Sequence, residues 1–292
     1  MPELPEVETI RRGLEGILRD RRFAHVEQRR KDLRFPLPER FAARLTGRRI
    51  ERLERRAKYI LMHLDNGEVL LVHLGMTGRF RVAVDARGGR SCGGGGDARA
   101  AKHDHLVFTM SDGAVVIYND ARRFGYMTLI PAARLVDDAY LRDLGAEPLS
   151  SAFSPAYLAR RALGKKVGLK ALLMDQRVVA GLGNIYVCEA LFRAALDPAK
   201  PASRLARASG APTPLAARLV VSVKAVLDQA IRAGGSTLRD YVHTDGKIGS
   251  FQEQFRIYGR EGQPCARPHC RGTVRRTTLG GRSTFHCPVC QR

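Results

Sequence analysis

The sequence has no tryptophan, and aromatic residues fill only 7% of its 292 positions. Single-strand RNA modules stack unpaired bases on aromatic side chains, and no RNA-recognition signature occurs here, so a ribosomal or RNA-binding role is disfavoured. No apolar run approaches the roughly 18 residues that a membrane-spanning helix needs. The opening MPELPEVETI has no basic segment leading into an apolar one, unlike a secretory leader. These absences set the expectation of a soluble protein that makes no use of a membrane, cytoplasmic and associated with the nucleoid. Cysteine is scarce too: six residues, four of them within the last 28, which does not suit a disulfide framework spread over a small secreted domain.

Acidic residues are the scarcer charge. Lys and Arg total 50 against 29 Asp and Glu, a net charge of +21. An excess of this size acts on partners and on association rates rather than on fold, and the natural partner is a polyanion. Residues 1–150 hold 27 basic and 21 acidic residues and the remainder 23 and 8, so the second part is the more basic. Charge alone leaves open a plainly solvated surface, as well as nucleic acid. The length and the 44% hydrophobic content suffice for two ordinary domains with their own cores.

After Pro5, Val7, Ile10, Leu14, Ile17 and Leu18 recur at helical spacing, with Glu6 and Glu8 in the first turn where the helix dipole favours acids. From about 22 to 130 short β-type runs follow (KYILMHL, EVLLVHL, HLVFTM, AVVIY, YMTLI), broken by turn signals such as DNG and SDG. The expected fold class is therefore α+β: an N-terminal helix with an antiparallel β-sandwich over 1–150, carrying a Gly-rich flexible insertion at 85–102. Cys92 in that insertion reads as an incidental thiol. Beyond 150 the pattern is helical (SPAYLARRAL, KKVGLKALLMD, IYVCEALFRAAL, TPLAARLVVSVKAVLDQAIRAG), giving a helical domain over 151–250. QRVVAGLGN joins the two middle segments. It is either a plain helix–helix turn or one whose free amides meet a phosphate at a helix N-terminus.

Residues 251–292 contain Cys265-x4-Cys270, sixteen intervening residues, and Cys287-x2-Cys290, close to the spacing of four-thiolate structural zinc sites. Four thiolates close a tetrahedron and leave no open position for substrate, so one Zn2+ is expected here in a structural role. His269 and His286 are possible substitute ligands, although four cysteines suffice. Between the pairs, GTVRRTTLGGRSTFH reads as a β-hairpin carrying Arg275, Arg276 and Arg282, a suitable presentation to nucleic acid.

MPELPEVET, NDARRFG, VVAGLGNIY and GRSTFHCPVCQ, in that order along nearly the whole chain, resemble the formamidopyrimidine-DNA glycosylases. The opening MPELPE also differs from the MPEGPE of the sister endonuclease VIII group. The resemblance implies a helix-two-turn-helix segment and zinc-finger hairpin after the sandwich. It implies a base-excision repair enzyme, a monomer, that removes oxidised purines from duplex DNA and nicks the strand by β,δ-elimination. In such a family the initiator methionine is lost and the amine of Pro2 is the nucleophile. The resemblance places Pro2, Glu3, Lys58 and Arg282 in the catalytic set, with Glu3 as general acid and base and Glu6 supporting it.

His73, Asn184, Tyr258 and Arg282, with Lys58, match phosphate-contact positions. Met76, Arg122 and Phe124 match residues that enter the duplex when the damaged nucleotide leaves the stack, with Arg122 reading the orphaned cytosine. On their own residues, Glu3 and Glu6 would be helix N-terminal acids, Lys58 a strand-end charge, and Met76 and Phe124 core residues. The base pocket is expected in GGSTLRDYVHTDGKIG after the long helix. Cys188 reads as a packing residue. Three features depart from the pattern: four residues rather than two within the first cysteine pair, Ala121 where proline is frequent, and the Gly-rich insertion. Two alternatives remain, an endonuclease VIII-like enzyme for oxidised pyrimidines and a non-catalytic zinc-finger DNA-binding protein.

Overall fold

The structure is a computed structural model and describes residues 2–83, 102–236 and 249–292. By packing, the chain divides into two compact units, Met1–Arg142 with Ala233–Ser250, and Asp143–Arg232 with Phe251–Arg292. The expected insertion at 85–102 lies outside the described residues except for Lys102, and most of the expected base-pocket loop, 237–248, lies outside them as well. Among the described residues no helix is long and apolar enough to cross a membrane.

In the first unit helix α1 (Leu4–Leu18) begins with Pro5 in its first turn, where a missing N–H forfeits no helical bond. Its buried apolar positions include Leu4, Val7, Ile10, Leu14 and Leu18, which is the stripe read from the sequence with Leu4 added and with Ile17 only partly buried at its edge. The strands are β1 (Phe23–Gln28), then, after the short helix α2 (Phe41–Leu45), β2 (Ile50–Arg56), β3 (Tyr59–Leu64), β4 (Glu68–His73), β5 (Arg79–Ala83), β6 (Asp104–Met110), β7 (Val115–Asn119) and β8 (Tyr126–Pro131). They form two four-stranded antiparallel sheets, ordered β2-β3-β4-β8 and β1-β6-β7-β5.

One core joins α1 to both sheets. Ile10 and Leu14 share one buried cluster with Leu53, Ile60, Met62, Leu70 and Val72 from one sheet and Phe23, Phe80, Leu106, Phe108 and Tyr118 from the other. At roughly 1.5–3 kcal/mol for each large apolar side chain removed from water, this cluster is the main source of the unit's stability. Two sharp connections emerge from that core, 74–78 between β4 and β5 and 120–125 between β7 and β8.

The second unit is helical: α3 (Pro155–Ala162), α4 (Leu169–Met174), α5 (Asn184–Arg193) and α6 (Pro214–Arg232). Ser154 caps α3 by accepting the Tyr157 N–H at 3.2 Å, with Pro155 at the first helical position. Each of the four helical patterns in the sequence yields one of these helices. Strands β9 (Arg275–Leu279) and β10 (Arg282–His286) form the expected hairpin. Gly280 and Gly281, at φ 58° and 70°, form its two-residue turn in a conformation that side-chain-bearing residues resist. A small cluster of Cys188, Phe192, Ile257, Val274 and Phe285 underlies the hairpin, so Cys188 is a packing residue as its sequence context suggested.

Candidate functional site

The start of α1 is tied down by a buried carboxylate. Glu3 occupies the N-cap with extended backbone, and its N–H donates to Glu6 Oε2 at 2.9 Å, half of a reciprocal capping box. The other Glu6 oxygen accepts the Ser236 N–H at 2.8 Å and the Ser236 hydroxyl at 3.0 Å. Gly235, at φ 80°, lets this segment approach closely: a β-carbon there would lie 3.0 Å from Glu6 Oε1. Pro2, Glu3 and Glu6 are all buried. The sequence suggested Glu6 as a support for Glu3. Its bond to a residue 230 positions away had no local signal.

Lys58 and His73 belong to one electropositive group. Lys58 is buried at the β2–β3 turn beside Ala57, whose φ is 52°. His73 ends β4, stacked on Tyr126 with centroids 5.0 Å apart and packed against Tyr59. Burial first, and then the charges of Lys58 and Arg34, push the His73 imidazole down to about 4. The ring is neutral at physiological pH. Its Nδ1 accepts the Gly75 N–H at 3.1 Å, which leaves Nε2 protonated as a donor. A neutral donor flanked by fixed cations suits one phosphate oxygen.

Met76 lies on the β4–β5 turn, and Arg122 and Phe124 lie on the β7–β8 turn. The three are exposed, Met76 by 38% and Phe124 by 41%, so the core alternative for these two fails. The Arg122 guanidinium sits 4.6 Å over the Phe124 ring.

In the second unit Asn184 opens α5, and its Nδ2 donates to the Ser283 carbonyl at 2.9 Å. Lys170, almost fully buried in α4, donates to the same carbonyl at 3.1 Å and to the Thr284 hydroxyl at 2.6 Å. These two side chains hold the β10 backbone immediately after exposed Arg282. Asn184 Oδ1 is buried with no hydrogen-bond partner among the described residues.

The 256–258 segment is held by buried Glu189 of α5. Glu189 Oε1 accepts the N–H groups of Ile257 at 3.0 Å and Tyr258 at 2.9 Å, and both of its oxygens lie 3.2 Å from the Arg256 nitrogen. The Tyr258 ring packs edge-on against Phe285. Lys170 and Glu189 were missed in the sequence, where each is one of several charges in a helical pattern and nothing local marks it as buried.

The Sγ atoms of Cys265, Cys270, Cys287 and Cys290 all lie within 4.8 Å of one another. Cys265–Cys290 and Cys270–Cys287 are each 3.7 Å apart. A tetrahedron with metal–sulfur bonds of about 2.3 Å has edges of about 3.8 Å, so the cluster has the dimensions of a four-thiolate metal site. The Gly272 N–H points at Cys270 Sγ, and a β-carbon on Gly272 would come within 2.5 Å of Cys287 Sγ. His269 and His286 are not part of the cluster.

Comparison with known proteins agrees with this architecture. Residues 1–127 match the model of the formamidopyrimidine-DNA glycosylase N-terminal domain, and residues 144–242 that of the H2TH domain of the same glycosylases. The chain belongs to the formamidopyrimidine-DNA glycosylase family. It is thereby a bifunctional DNA glycosylase and AP lyase of base-excision repair. Among curated family members, that of Methylobacterium nodulans is 56% identical over 100% of this chain and 99% of the relative, and that of Afipia carboxidovorans 54% over the full length of both. The crystal structure of MutM (Fpg) from Thermus thermophilus superposes with a TM-score of 0.81 at 38% identity, covering 99% of this chain and 98% of that one. A Lactococcus lactis Fpg variant in complex with Fapy-dG-containing DNA superposes with a TM-score of 0.83 at 32% identity over both full chains.

The state of His73 gives a direct check. The unfolded chain takes up a proton on this ring near pH 6.5 and the folded one only near 4, so His73 costs stability as pH falls through that window. The ring resonances of the DNA-free protein should show no protonation step above about pH 5 in an NMR titration, and His73→Gln should flatten the acid limb of the stability profile. A midpoint near 6.5 would contradict the arrangement.

Proposed function

We propose that the chain excises oxidised purines, 8-oxoguanine and formamidopyrimidines, from duplex DNA and cuts the strand in the same encounter. The observation that carries this reading is the buried anchoring of Glu3 and Glu6 directly behind Pro2. With Met1 removed, Pro2 presents a secondary amine. An α-amino group titrates near 7.7–8.0 against about 10.4 for lysine, so far more of it is neutral at physiological pH. The amine attacks the sugar C1′, the bond to the base breaks with its electron pair, and the departing base takes up a proton. Glu3, one residue away, protonates the sugar ring oxygen as the ring opens and the iminium forms, and later returns as a base. The iminium acidifies the neighbouring sugar C–H bonds, so the 3′ and then the 5′ phosphate leave by successive eliminations.

Lys58, His73, Asn184, Tyr258 and Arg282 contact the strand phosphates, and Met76, Arg122 and Phe124 fill the gap left by the everted nucleotide. What supports the phosphate contacts is the electropositive group around His73 and the pinned stretch of β10 that follows Arg282. What supports the gap-filling is the exposure of three side chains on two turns. Residues 1–150 then act as the catalytic domain, 151–250 as the helical DNA-binding domain and 251–292 as the finger, with Zn2+ held by the four cysteines.

A Glu3→Gln variant should lose about 100- to 10,000-fold in single-turnover excision of 8-oxoguanine opposite cytosine while retaining duplex binding. Undiminished excision would remove Glu3 from the mechanism. A Lactococcus lactis relative is known in complex with DNA carrying an oxidised pyrimidine, so lesions of that class belong in the same assay. The purine should react faster, and the reverse order would favour the endonuclease VIII-like alternative.

Zinc in the finger predicts a separate result. The small core beneath the hairpin buries too little to hold it alone, and structural zinc contributes roughly 10–16 kcal/mol in isolated fingers. Chelation should abolish the β9–β10 amide resonances and tight DNA binding while the N-terminal sheets persist. Retention of both after verified metal loss would refute the assignment.

A further inference from the structure

Met76, Arg122 and Phe124 come from two turns far apart in sequence, yet the turns are joined by a polar link that is separate from the three side chains themselves. Asp120 is fully buried at the end of β7. Its Oδ1 accepts the Thr77 hydroxyl, and its Oδ2 accepts the Gly125 N–H at 2.8 Å. The same Thr77 oxygen accepts the Arg122 N–H at 3.1 Å. One hydroxyl, adjacent in sequence to Met76, therefore donates to the anchor of the other turn and accepts from its backbone. Asp120 is itself pinned, with its N–H donating to the His103 carbonyl at 3.1 Å and its carbonyl 2.8 Å from His105 Nε2.

Two backbone features need this anchorage. Arg123, between Arg122 and Phe124, sits at φ 54°, a left-handed conformation that persists in a residue bearing a β-carbon only when its surroundings hold it. Gly75, at φ 62°, lies so close to the other turn that a β-carbon would fall 2.2 Å from the Phe124 carbonyl carbon and 2.3 Å from the Gly125 nitrogen. The turns are in backbone contact, and the Thr77–Asp120 pair closes that contact from one side.

We propose that Thr77 and Asp120 are positioning residues that lock the two turns into one platform, so that Met76, Arg122 and Phe124 enter the duplex as a preordered unit. The inference rests on the reading of those three as gap-filling residues. A platform ordered before binding loses little freedom on binding, and it sets the spacing of the wedge against the opposite base.

The test compares two substrates with full-length, metal-loaded enzyme. A duplex with 8-oxoguanine opposite cytosine needs the gap filled, whereas a single-stranded oligonucleotide with an abasic site needs only the amine and the elimination chemistry. Thr77→Val keeps the shape and removes the hydroxyl. It should lower single-turnover excision from the duplex on the order of tenfold to a hundredfold, the penalty of a misplaced group, and change cleavage of the single strand by less than about twofold. Thr77→Ser restores the hydroxyl and should recover the duplex rate. Undiminished duplex excision by Thr77→Val would overturn the lock, and equal losses on both substrates would reduce Thr77 to a general stability role. A Met76→Ala/Phe124→Ala double variant separates the two levels. If it excises from the duplex at the normal rate, the gap-filling reading falls and the lock with it; if it is impaired while Thr77→Val is not, only the lock falls.

Discussion

The N–H of Glu3 donating to the buried Glu6 carboxylate is the contact on which the start of the chain, and with it the proposed chemistry, depends. Pro2, one residue before the N-cap, is buried with Glu3 and Glu6, and it can be only as well placed as the first helical turn that follows it. Burying a carboxylate is costly unless its oxygens are satisfied. Glu6 meets that condition with one donor from its own helix and two from Ser236. The hydrophobic stripe of α1 then fixes the whole helix against both sheets, so the terminal residues inherit the rigidity of the core.

The same design, a buried polar group that holds the backbone beside a proposed DNA-contact residue, recurs in both units. Lys170 and Asn184 converge on the Ser283 carbonyl beside Arg282, and Glu189 gathers successive backbone N–H groups beside Tyr258. Burial, and after it the charges of Lys58 and Arg34, keep the His73 ring neutral, and its bond from the Gly75 N–H orients it as a donor, the state that the proposed phosphate contact calls for. The net charge of +21 brings the protein to a polyanion. In the proposed binding mode these few buried contacts decide where the cations meet it.

Much of this was legible in the residues. The stripe of α1 and the runs KYILMHL and EVLLVHL were readable because burial imposes a period on apolar residues. The turn at Gly280 and Gly281 and the cysteine spacing were readable because each geometry admits few residue types. Strands such as Ile50–Arg56 were harder to pick out, since IERLERR buries only two of its seven residues. Long-range polar partners left no trace: nothing near Glu6 in the sequence points to Ser236, and nothing near Thr77 points to Asp120. Lys170 and Glu189 look like ordinary solvent-facing charges until the fold encloses them. For Met76 and Phe124 the residues alone favoured the core, and only the resemblance of the surrounding motifs to a family placed them outside it. The structure agrees with the resemblance on this point because both turns project from the core rather than into it.

In the proposed mechanism the chain's own terminal amine, held by the Glu3–Glu6 turn, does the chemistry. Borohydride reduction during reaction with an 8-oxoguanine duplex, followed by mass mapping of the adduct, tests it most directly. The expected result is a covalent sugar adduct on the peptide beginning at Pro2, absent from a Pro2 variant whose amine is blocked. An adduct on a lysine, or complete excision and strand cleavage with no trapped species, would contradict it.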